Sequence, residues 1–331
     1  MDIEFHYYIT FILCRKAGFE PDDAFKIAYS SQYTDDNTYH YHVNLRDGNS
    51  YINQISQTLD ITKPSEKRKT IYPLFHFIPG GEEAQDACCF DCGGRDCFVT
   101  IPKSQNAQDL LDEALRSKNL YRIGIAIHAF ADTFSHQNFL GYKDKLNAQK
   151  GLGAKIIPNI GHADFGHEPD KIHNRWYDSR LTKKFRVIDN DDRFLEAARE
   201  IFFRLYKFKS PRTSDQQALS KYEEFKLEDQ LRDAMDESYF WGGSEKARRK
   251  AYKKTCSELN LAKYTYDPNA WRYAAVEKRD FEVDIFDKYW AKKNFTDSDW
   301  YKFQKAVEDH KELALAKFHP LYEKAGFVVY P

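Results

Sequence analysis

The chain has 331 residues, 42% of them hydrophobic, and its 50 Lys and Arg nearly balance its 51 Asp and Glu. This length and composition suffice for a full core, either as one large domain or as one domain with a substantial extension. A formal net charge of −1 argues against a strong nucleic-acid footprint. No apolar run is long enough to span a bilayer and no Gly-rich nucleotide loop occurs, so membrane-spanning proteins, kinases, dehydrogenases and P-loop enzymes are disfavoured.

The N-terminal segment predicts a helix over residues 3–17, with Asp2 as its N-cap. A second helix is expected to begin at Pro21, and its phase carries Asp35 and Asp36 to its C-terminal end. The first apolar run is short and follows acidic residues, so it does not have the pattern of a signal peptide. We therefore expect a cytoplasmic protein, and export without a cleaved leader stays open.

A polar stretch over residues 37–69 is typical of a loop, a short strand or a segment that covers a cleft. His40 and His42 alternate with tyrosines there, and we expect them at the surface or in a substrate cleft, since no other ligand type converges on them. His76 follows between two phenylalanines, just before a Pro-Gly turn. It is one of several histidines and aspartates that recur in short clusters within apolar or turn-like sequence.

Four cysteines with glycines among them lie within ten residues: Cys88, Cys89, Cys92 and Cys97. Thiolates suit tetrahedral zinc, and glycines permit tight turns, so a separate zinc ion bound by these thiols is one interpretation. A surface loop with reduced cysteines is the other. Disulfides are disfavoured in the cytoplasm, and no local His–Cys pair indicates an activated nucleophile.

The segment 121–141 places His128, Asp132 and His136 at four-residue steps within apolar sequence. Four residues advance a helix by about one turn, so the three side chains share one face of a helix that is otherwise hydrophobic. Burying such groups without partners is costly, and imidazole and carboxylate are ordinary zinc ligands. The pattern favours a metal site over a His–Asp hydrogen bond that only satisfies itself.

Past the central helix, residues 159–170 combine turn residues with ligand types, including His162, His167 and Asp170. A metal-binding loop requires this combination, and the alternative is a polar loop that happens to contain two histidines. The rest of the chain predicts charged, aromatic helices over residues 193–207, 216–239, 243–260, 268–287 and 297–325. We therefore expect a mainly α fold, with a metal-binding core over residues 1–185 and a helical extension over residues 186–331, either separate or packed on the same core.

The central segment resembles a known family, the zinc-dependent phospholipase C and single-strand nuclease superfamily. The resemblance is carried by Tyr121-x-x-Gly124-x-x-x-His128-x-x-x-Asp132 followed by His136-Gln-Asn-Phe139, which is similar to the central metal-binding helix of those enzymes. The chain also resembles an uncharacterised bacterial branch of the superfamily, through Asp2-x-x-Phe5-His6-Tyr7-Tyr8 and Phe75-His76-Phe77-x-Pro79-Gly80. The resemblance implies a mostly helical core around a cluster of two or three zinc ions.

Site residues are carried over from this resemblance position by position. It implies that one metal is surrounded by His76, His128, Asp132 and either Asp35 or Asp36. Asp132 would bridge to a second ion held by His6. In the secreted relatives the second ion is also bound by an N-terminal Trp, and since this chain starts with Met1 and Asp2, we expect Asp2 to supply an oxygen in its place.

The third ion implied by the resemblance would be bound by His136 and His162. The acidic ligand that the family places four residues after the last histidine falls on Gly166 in this chain. His167 or Asp170 would have to substitute, and the sequence leaves both open.

The function that the resemblance implies is hydrolysis of a phosphoester, such as a phospholipid, a nucleic acid or a nucleotide, by a metal-activated water. Asp35 would orient or deprotonate that water, and Tyr33, Tyr39 and Phe77 are candidates to contact a base or a lipid. The alternatives are a metal-stabilised structural or protein-binding module without catalysis, and acyl or amide hydrolysis by the same metals. Manganese, iron or nickel would accept similar ligands.

Overall fold

The computed structural model describes residues 1–58, 70–149, 160–236, 244–255, 259–278 and 289–327. As predicted, these residues are mainly helical. In chain order the α-helices are α1 (Thr10–Lys16), α2 (Pro21–Asp36), α3 (Tyr72–Phe75), α4 (Glu82–Ala87), α5 (Gln105–Ser117), α6 (Leu120–Ser135), α7 (Asn190–Lys209), α8 (Asp215–Glu224), α9 (Leu227–Asp236), α10 (Glu245–Thr255), α11 (Ala270–Ala275) and α12 (Asp299–Lys324). Among the described residues, no helix is both long enough and apolar enough to cross a membrane.

Short strands accompany the helices: β1 (His42–Asn44), β2 (Ser50–Ile52), β3 (Arg175–Tyr177), β4 (Val187–Asp189), β5 (Val276–Lys278) and β6 (Tyr289–Ala291). One sheet has the order β2-β1-β6-β5, in which β1 and β6 run parallel with Val43 opposite Tyr289. The other sheet is the antiparallel pair of β3 and β4. The first sheet joins the polar stretch after α2 to the C-terminal part of the chain.

Helix α6 lies at the centre of the fold and packs against α2, α5, α7 and α12. Its side chains are buried on nearly all sides, as its continuous apolar sequence predicts. Gly124 lets α2 approach closely, because a Cβ atom there would lie 2.4 Å from the carbonyl oxygen of Ile27 and 2.5 Å from the Cβ of Ser30. The packing of α2 on α6 therefore depends on a residue without a side chain.

The N-terminal helix begins with a π-helical segment, Glu4–Ile9, that continues into α1. Asp2 lies just before it, and the Asp2 Oδ1 atom accepts a hydrogen bond from the backbone N–H of Glu4 at 3.0 Å. The predicted helix is therefore present, but its first turns are wider than those of an α-helix. π-Helical turns occur often at functional sites, and this one carries His6.

Two of the predicted C-terminal helices differ from the structure. The helix expected over residues 216–239 is two helices, α8 and α9, because Lys226 between them has a left-handed backbone with φ of 49°. The one expected over residues 268–287 is the short α11 followed by strand β5. Residues 237–239 and 279–287 of these predictions lie outside the described residues, as do residues 243 and 256–258 of the helix predicted over 243–260.

Buried contacts connect residues of the two halves of the chain. Arg248 of α10 donates to both carboxylate oxygens of Glu4 at 2.8 Å, within a buried environment. The indole nitrogen of Trp300 in α12 donates to the Tyr33 hydroxyl at 3.2 Å, inside the core. The boundary between residues 185 and 186 stays a prediction.

Candidate metal centre

Five ionisable side chains converge beside α6: His6, Asp35, His76, His128 and Asp132. We call them the central cluster. The π-helical segment supplies His6, the last turn of α2 supplies Asp35, the residue that ends α3 is His76, and α6 supplies the other two. All are buried except Asp35, whose side chain is 27% exposed. The cluster thus lies where several helices meet, with one carboxylate toward solvent.

Two imidazole nitrogens and two carboxylate oxygens of the central cluster lie close together. The Nδ1 atom of His76 lies 3.0 Å from the Nε2 atom of His128. These two nitrogens lie 3.2 and 3.3 Å from the Oδ2 atom of Asp132, and 3.6 and 3.7 Å from the Oδ1 atom of Asp35. Ligands at zinc bond lengths in a tetrahedron are about 3.3 Å apart. The donor types therefore fit zinc, and the spacing of His76, His128 and Asp132 is that of ligands of one ion, with Asp35 slightly farther away.

Hydrogen bonds outside the central cluster fix the orientation of His76. Its Nε2 atom lies 2.9 Å from the Ser56 carbonyl oxygen, which can only accept, so Nε2 carries the proton. The Nδ1 atom that faces the cluster then has a free lone pair. This arrangement, in which a backbone carbonyl holds the far nitrogen of an imidazole, is the usual support of a metal-bound histidine.

The same two aspartates face a second position beside His6. The Nε2 atom of His6 lies 3.2 Å from the Oδ1 atom of Asp132 and 4.0 Å from the Oδ2 atom of Asp35. Each carboxylate thus presents one oxygen to either position, as a bridging ligand would. Both nitrogens of the buried His6 lack a hydrogen-bond partner within the described chain, a costly arrangement that a metal would relieve.

A third set, His136, His162 and Asp170, lies next to the central cluster, and we call it the outer group. The Nε2 atoms of His136 and His162 lie 3.0 and 3.1 Å from the two oxygens of Asp170. Their Nδ1 atoms lie 2.7 Å from backbone carbonyl oxygens, so Nδ1 of each ring carries a proton and Nε2 faces this carboxylate. The ring of Phe77 stacks on His136, with 4.4 Å between the centroids.

The electrostatics of His6 and Asp132 favour the protonation states that bind metals. Those of His136 do not, since burial would lower its pKa but Asp132 and Asp170 raise it. Burial and the neighbouring His128 lower the pKa of His6 to about 3, so it is neutral at physiological pH. Burial would raise the pKa of Asp132, but His136, the Met1 amino group and His128 hold it well below its usual range. Neutral imidazole and ionised carboxylate are the ligand forms of these side chains.

Three of the predicted ligands lie outside these groups. Asp2 caps the N-terminal helix, and burial together with the Glu4 carboxylate raises its pKa, which disfavours the ionised ligand form. The Oδ2 atom of Asp36 accepts hydrogen bonds from Gln32 and Tyr266. His167 is exposed on the cavity rim and is not grouped with the other ligand types.

The amino nitrogen of Met1 lies among the acidic side chains, at the place where Asp2 was expected. It is 2.5 Å from the Oδ1 atom of Asp132 and 3.1 Å from the Oδ1 atom of Asp170. Burial would lower the pKa of this amine, but the two carboxylates and Asp35 raise it to about 11. The carboxylates around the centre thus attract positive charge strongly.

The prediction of a zinc ion at the clustered cysteines is wrong. Cys88, Cys89 and Cys97 are half-buried against the hydrophobic core, whereas Cys92 is exposed. Within the part of the chain that the structure describes, no group of side chains close enough to hold an ion includes any of these thiols. Burial also raises the pKa of the three half-buried thiols, which disfavours the thiolate that zinc requires.

Three members of the central cluster, Asp35, His76 and Asp132, line one cavity of about 920 Å³ together with the whole outer group. His6 and His128 are buried and are not part of its wall. Phe77 belongs to its wall, together with Arg249, Tyr266 and Pro268 from the C-terminal half of the chain. Of the other aromatic candidates, Tyr33 lies in the core and Tyr39 is 69% exposed. His40 and His42 are exposed, as the sequence predicts, and do not line this cavity. The cavity therefore gives access to the ligand side chains that line it.

Sequence analysis missed a fourth group of ligand types, His173, Asp191 and Asp236. We call it the surface triad. Its members come from a loop, from the first turn of α7 and from the last residue of α9. Because no spacing along the chain connects them, only the folded arrangement brings them together.

Comparison with known proteins gives a family but no characterised relative. The model of a family described as "Family of unknown function (DUF6765)" matches residues 1–318. No curated protein and no solved structure matches the chain.

Proposed function

Because the chain belongs to DUF6765, a family of unknown function, we propose its activity from the geometry of its own buried His and Asp side chains. The protein is a metal-dependent hydrolase, with zinc as the preferred metal and a phosphoester as the substrate. The observation that carries this proposal is the close approach of ligand atoms of His76, His128, Asp132 and Asp35, three of which, His76, Asp132 and Asp35, line a cavity. The resemblance to zinc-dependent phospholipases C and single-strand nucleases supports the choice of reaction.

The residues present fit two or three metal ions. His76 and His128 would hold the first ion with Asp35 and Asp132, and His6 would hold the second with the other oxygens of the same carboxylates. The outer group would hold a third ion. When bound, such ions lower the pKa of water and stabilise the charge of a phosphoryl group during in-line attack.

Asp35 is the residue that we assign to proton transfer. It is the only member of the central cluster with substantial exposure, and it lines the cavity. The side-chain amide of Gln57 donates to its Oδ1 atom at 3.4 Å, which helps to hold the carboxylate in place. In this position Asp35 can orient an attacking water and accept its proton.

The cavity wall suits an anionic substrate with an apolar or aromatic part. Arg249 adds positive charge from α10, and the Phe77 ring presents an apolar surface beside His136. A phosphate would bind near the ligand atoms, and the rest of the substrate would contact this wall. Phospholipids and nucleotides both have these two parts, so the proposal extends to phosphoesters as a class.

Hydrolysis of bis-p-nitrophenyl phosphate tests the proposal. Purified full-length protein should release p-nitrophenol, lose this activity with chelator and regain it with zinc. Asp35→Asn should lower turnover at least 100-fold, whereas Asp36→Asn, next to it on α2, serves as the control and should retain most of it. The proposal is overturned if metal-loaded protein shows no turnover on this ester, on phospholipids or on nucleotides.

The full burial of His6 and His128 favours a second candidate, a metal-stabilised module without catalysis. Ions at these positions would join the N-terminal helix to α6 and contribute folding free energy directly. The two candidates predict the same metal content but differ in turnover. The structural role is favoured if metal loading raises the thermal stability of the protein and the metal-loaded protein hydrolyses none of the three substrate types.

A further inference from the structure

The surface triad lies outside the cavity, on the side of the fold where α7, α9 and the loop after the outer group meet. The Nδ1 atom of His173 lies 3.1 Å from the Oδ2 atom of Asp191 and 3.2 Å from the Oδ1 atom of Asp236. Three ligand atoms at these separations can occupy neighbouring corners of a tetrahedron or an octahedron around one ion. We propose that His173, Asp191 and Asp236 bind a separate divalent cation, which fastens α9 to the loop that carries Asp170.

Charge compensation favours a divalent cation at this position. Two carboxylates face a single imidazole nitrogen, and a proton on that imidazole would balance only one of their charges. Among the residues that the structure describes, no Lys or Arg forms an ion pair with Asp191 or Asp236. A divalent ion would balance both carboxylates at once and leave His173 neutral.

The backbone holds two of the three ligands in place before any ion binds. His173 has a left-handed backbone with φ of 54°, which is uncommon for a residue with a side chain. Its N–H donates to the Oδ1 atom of Asp191 at 2.7 Å, which leaves the Oδ2 atom directed at the imidazole. The Asp191 side chain is 11% exposed and that of Asp236 is 55% exposed, so the site combines an anchored carboxylate with a reachable one.

The position of the triad gives the cation a structural consequence. His173 follows Asp170 by three residues, and Asp170 supplies both carboxylate oxygens of the outer group. An ion at the triad would link this loop to the first turn of α7 and the end of α9. It would therefore restrict the loop from which Asp170 reaches the outer group, whether or not the protein is a hydrolase.

Zinc content after equilibration tests this inference. Full-length protein is dialysed against micromolar zinc chloride, and bound zinc per chain is measured by plasma mass spectrometry. Asp236→Asn and His173→Gln should each carry one zinc fewer than wild type. The matched control is Asp233→Asn, an exposed carboxylate on the same helix, which should carry the wild-type amount.

The counts separate this inference from the proposed function. Loss of one equivalent in the triad variants supports the site even if no phosphoester is hydrolysed, because the readout is binding alone. Equal zinc in wild type, Asp236→Asn and His173→Gln would overturn it. Loss of the helical circular dichroism signal would identify a variant that failed to fold. The zinc content of the other triad variant would then decide whether the site exists.

Discussion

The Nδ1 atom of His76 lies 3.0 Å from the Nε2 atom of His128, although 52 residues separate them in the chain. The Ser56 carbonyl fixes the proton of His76 on its other nitrogen, so a lone pair points toward His128. Carboxylate oxygens of Asp35 and Asp132 face the same space. Four ligand-type atoms thus face one space, and this arrangement supports the proposed metal centre without reference to any related protein.

Asp35 and Asp36 provide a matched pair for testing the central cluster. Asp35→Asn should remove at least one metal equivalent, since both of its oxygens face ligand positions. Asp36→Asn should keep the wild-type metal content, because its carboxylate is held by Gln32 and Tyr266 instead. Metal analysis of both variants checks this, with circular dichroism as the control for folding. Equal metal losses in Asp35→Asn and Asp36→Asn would contradict the assignment of Asp35, and not Asp36, as the ligand.

Replacing the four cysteines should leave metal content unchanged. Cys92 is exposed, whereas Cys88, Cys89 and Cys97 face the core. A variant with serine at all four positions therefore loses no group of side chains that could bind an ion. Metal analysis after purification without chelator measures this. A decrease of one metal equivalent relative to wild type would contradict this prediction and would mean that the four thiols bind an ion.

His310 should make stability depend on pH. Burial lowers its pKa to about 4, while the unfolded chain binds a proton near the ordinary value of 6.5. Between these values the unfolded state binds more protons, so the free energy of unfolding falls as the pH falls, by about 3 kcal/mol at pH 4. In His310→Gln this pH-dependent loss of stability should be absent. The glutamine side-chain amide can still donate to the Leu74 carbonyl.

Urea unfolding at pH 6.5 and at pH 4 measures this effect as the difference between wild type and variant. The control is His319→Gln on the same helix, where the side chain is 66% exposed and should change the pH dependence little. If the two variants lose the same stability on acidification, burial of His310 does not control its titration.

The buried ion pair between Glu4 and Arg248 should contribute to stability mainly through the cost of leaving one charge alone. Arg248→Met leaves the Glu4 carboxylate buried without its bidentate partner, and should lower the free energy of unfolding by about 3 kcal/mol. The double variant Glu4→Leu/Arg248→Met should recover at least half of this loss. Urea unfolding measures both, with the exposed Lys250→Met as control. A double variant no more stable than the single one would contradict the argument.

Sequence periodicity predicts the centre of the fold well because local rules operate there. The four-residue spacing of His128 and Asp132 places both on one face of α6, and their ligand atoms lie 3.3 Å apart. His136 continues the spacing but ends the helix, and its Nε2 atom turns toward Asp170 in the outer group. Helical phase also brings Asp35 and Asp36 to the end of α2, but only tertiary packing shows which of them faces the histidines.

The remaining differences between the sequence-based predictions and the structure have physical causes that act between distant parts of the chain. The choice of Asp170 over His167 depends on the loop path, and the surface triad depends on the packing of α9 against α7. The cysteines share a short segment, yet the core takes up three of them and leaves Cys92 exposed. Spacing along the sequence carries no information about any of these contacts.

The most direct test of the central claim is the metal content of full-length protein purified without chelator. Plasma mass spectrometry would compare wild type with His128→Asn and with His310→Asn, a buried histidine outside the ligand groups. We predict at least two equivalents per chain in wild type and His310→Asn, and a loss of one or more in His128→Asn. Less than one equivalent in wild type, or the same amount in all three proteins, would contradict a metal centre at the His and Asp cluster.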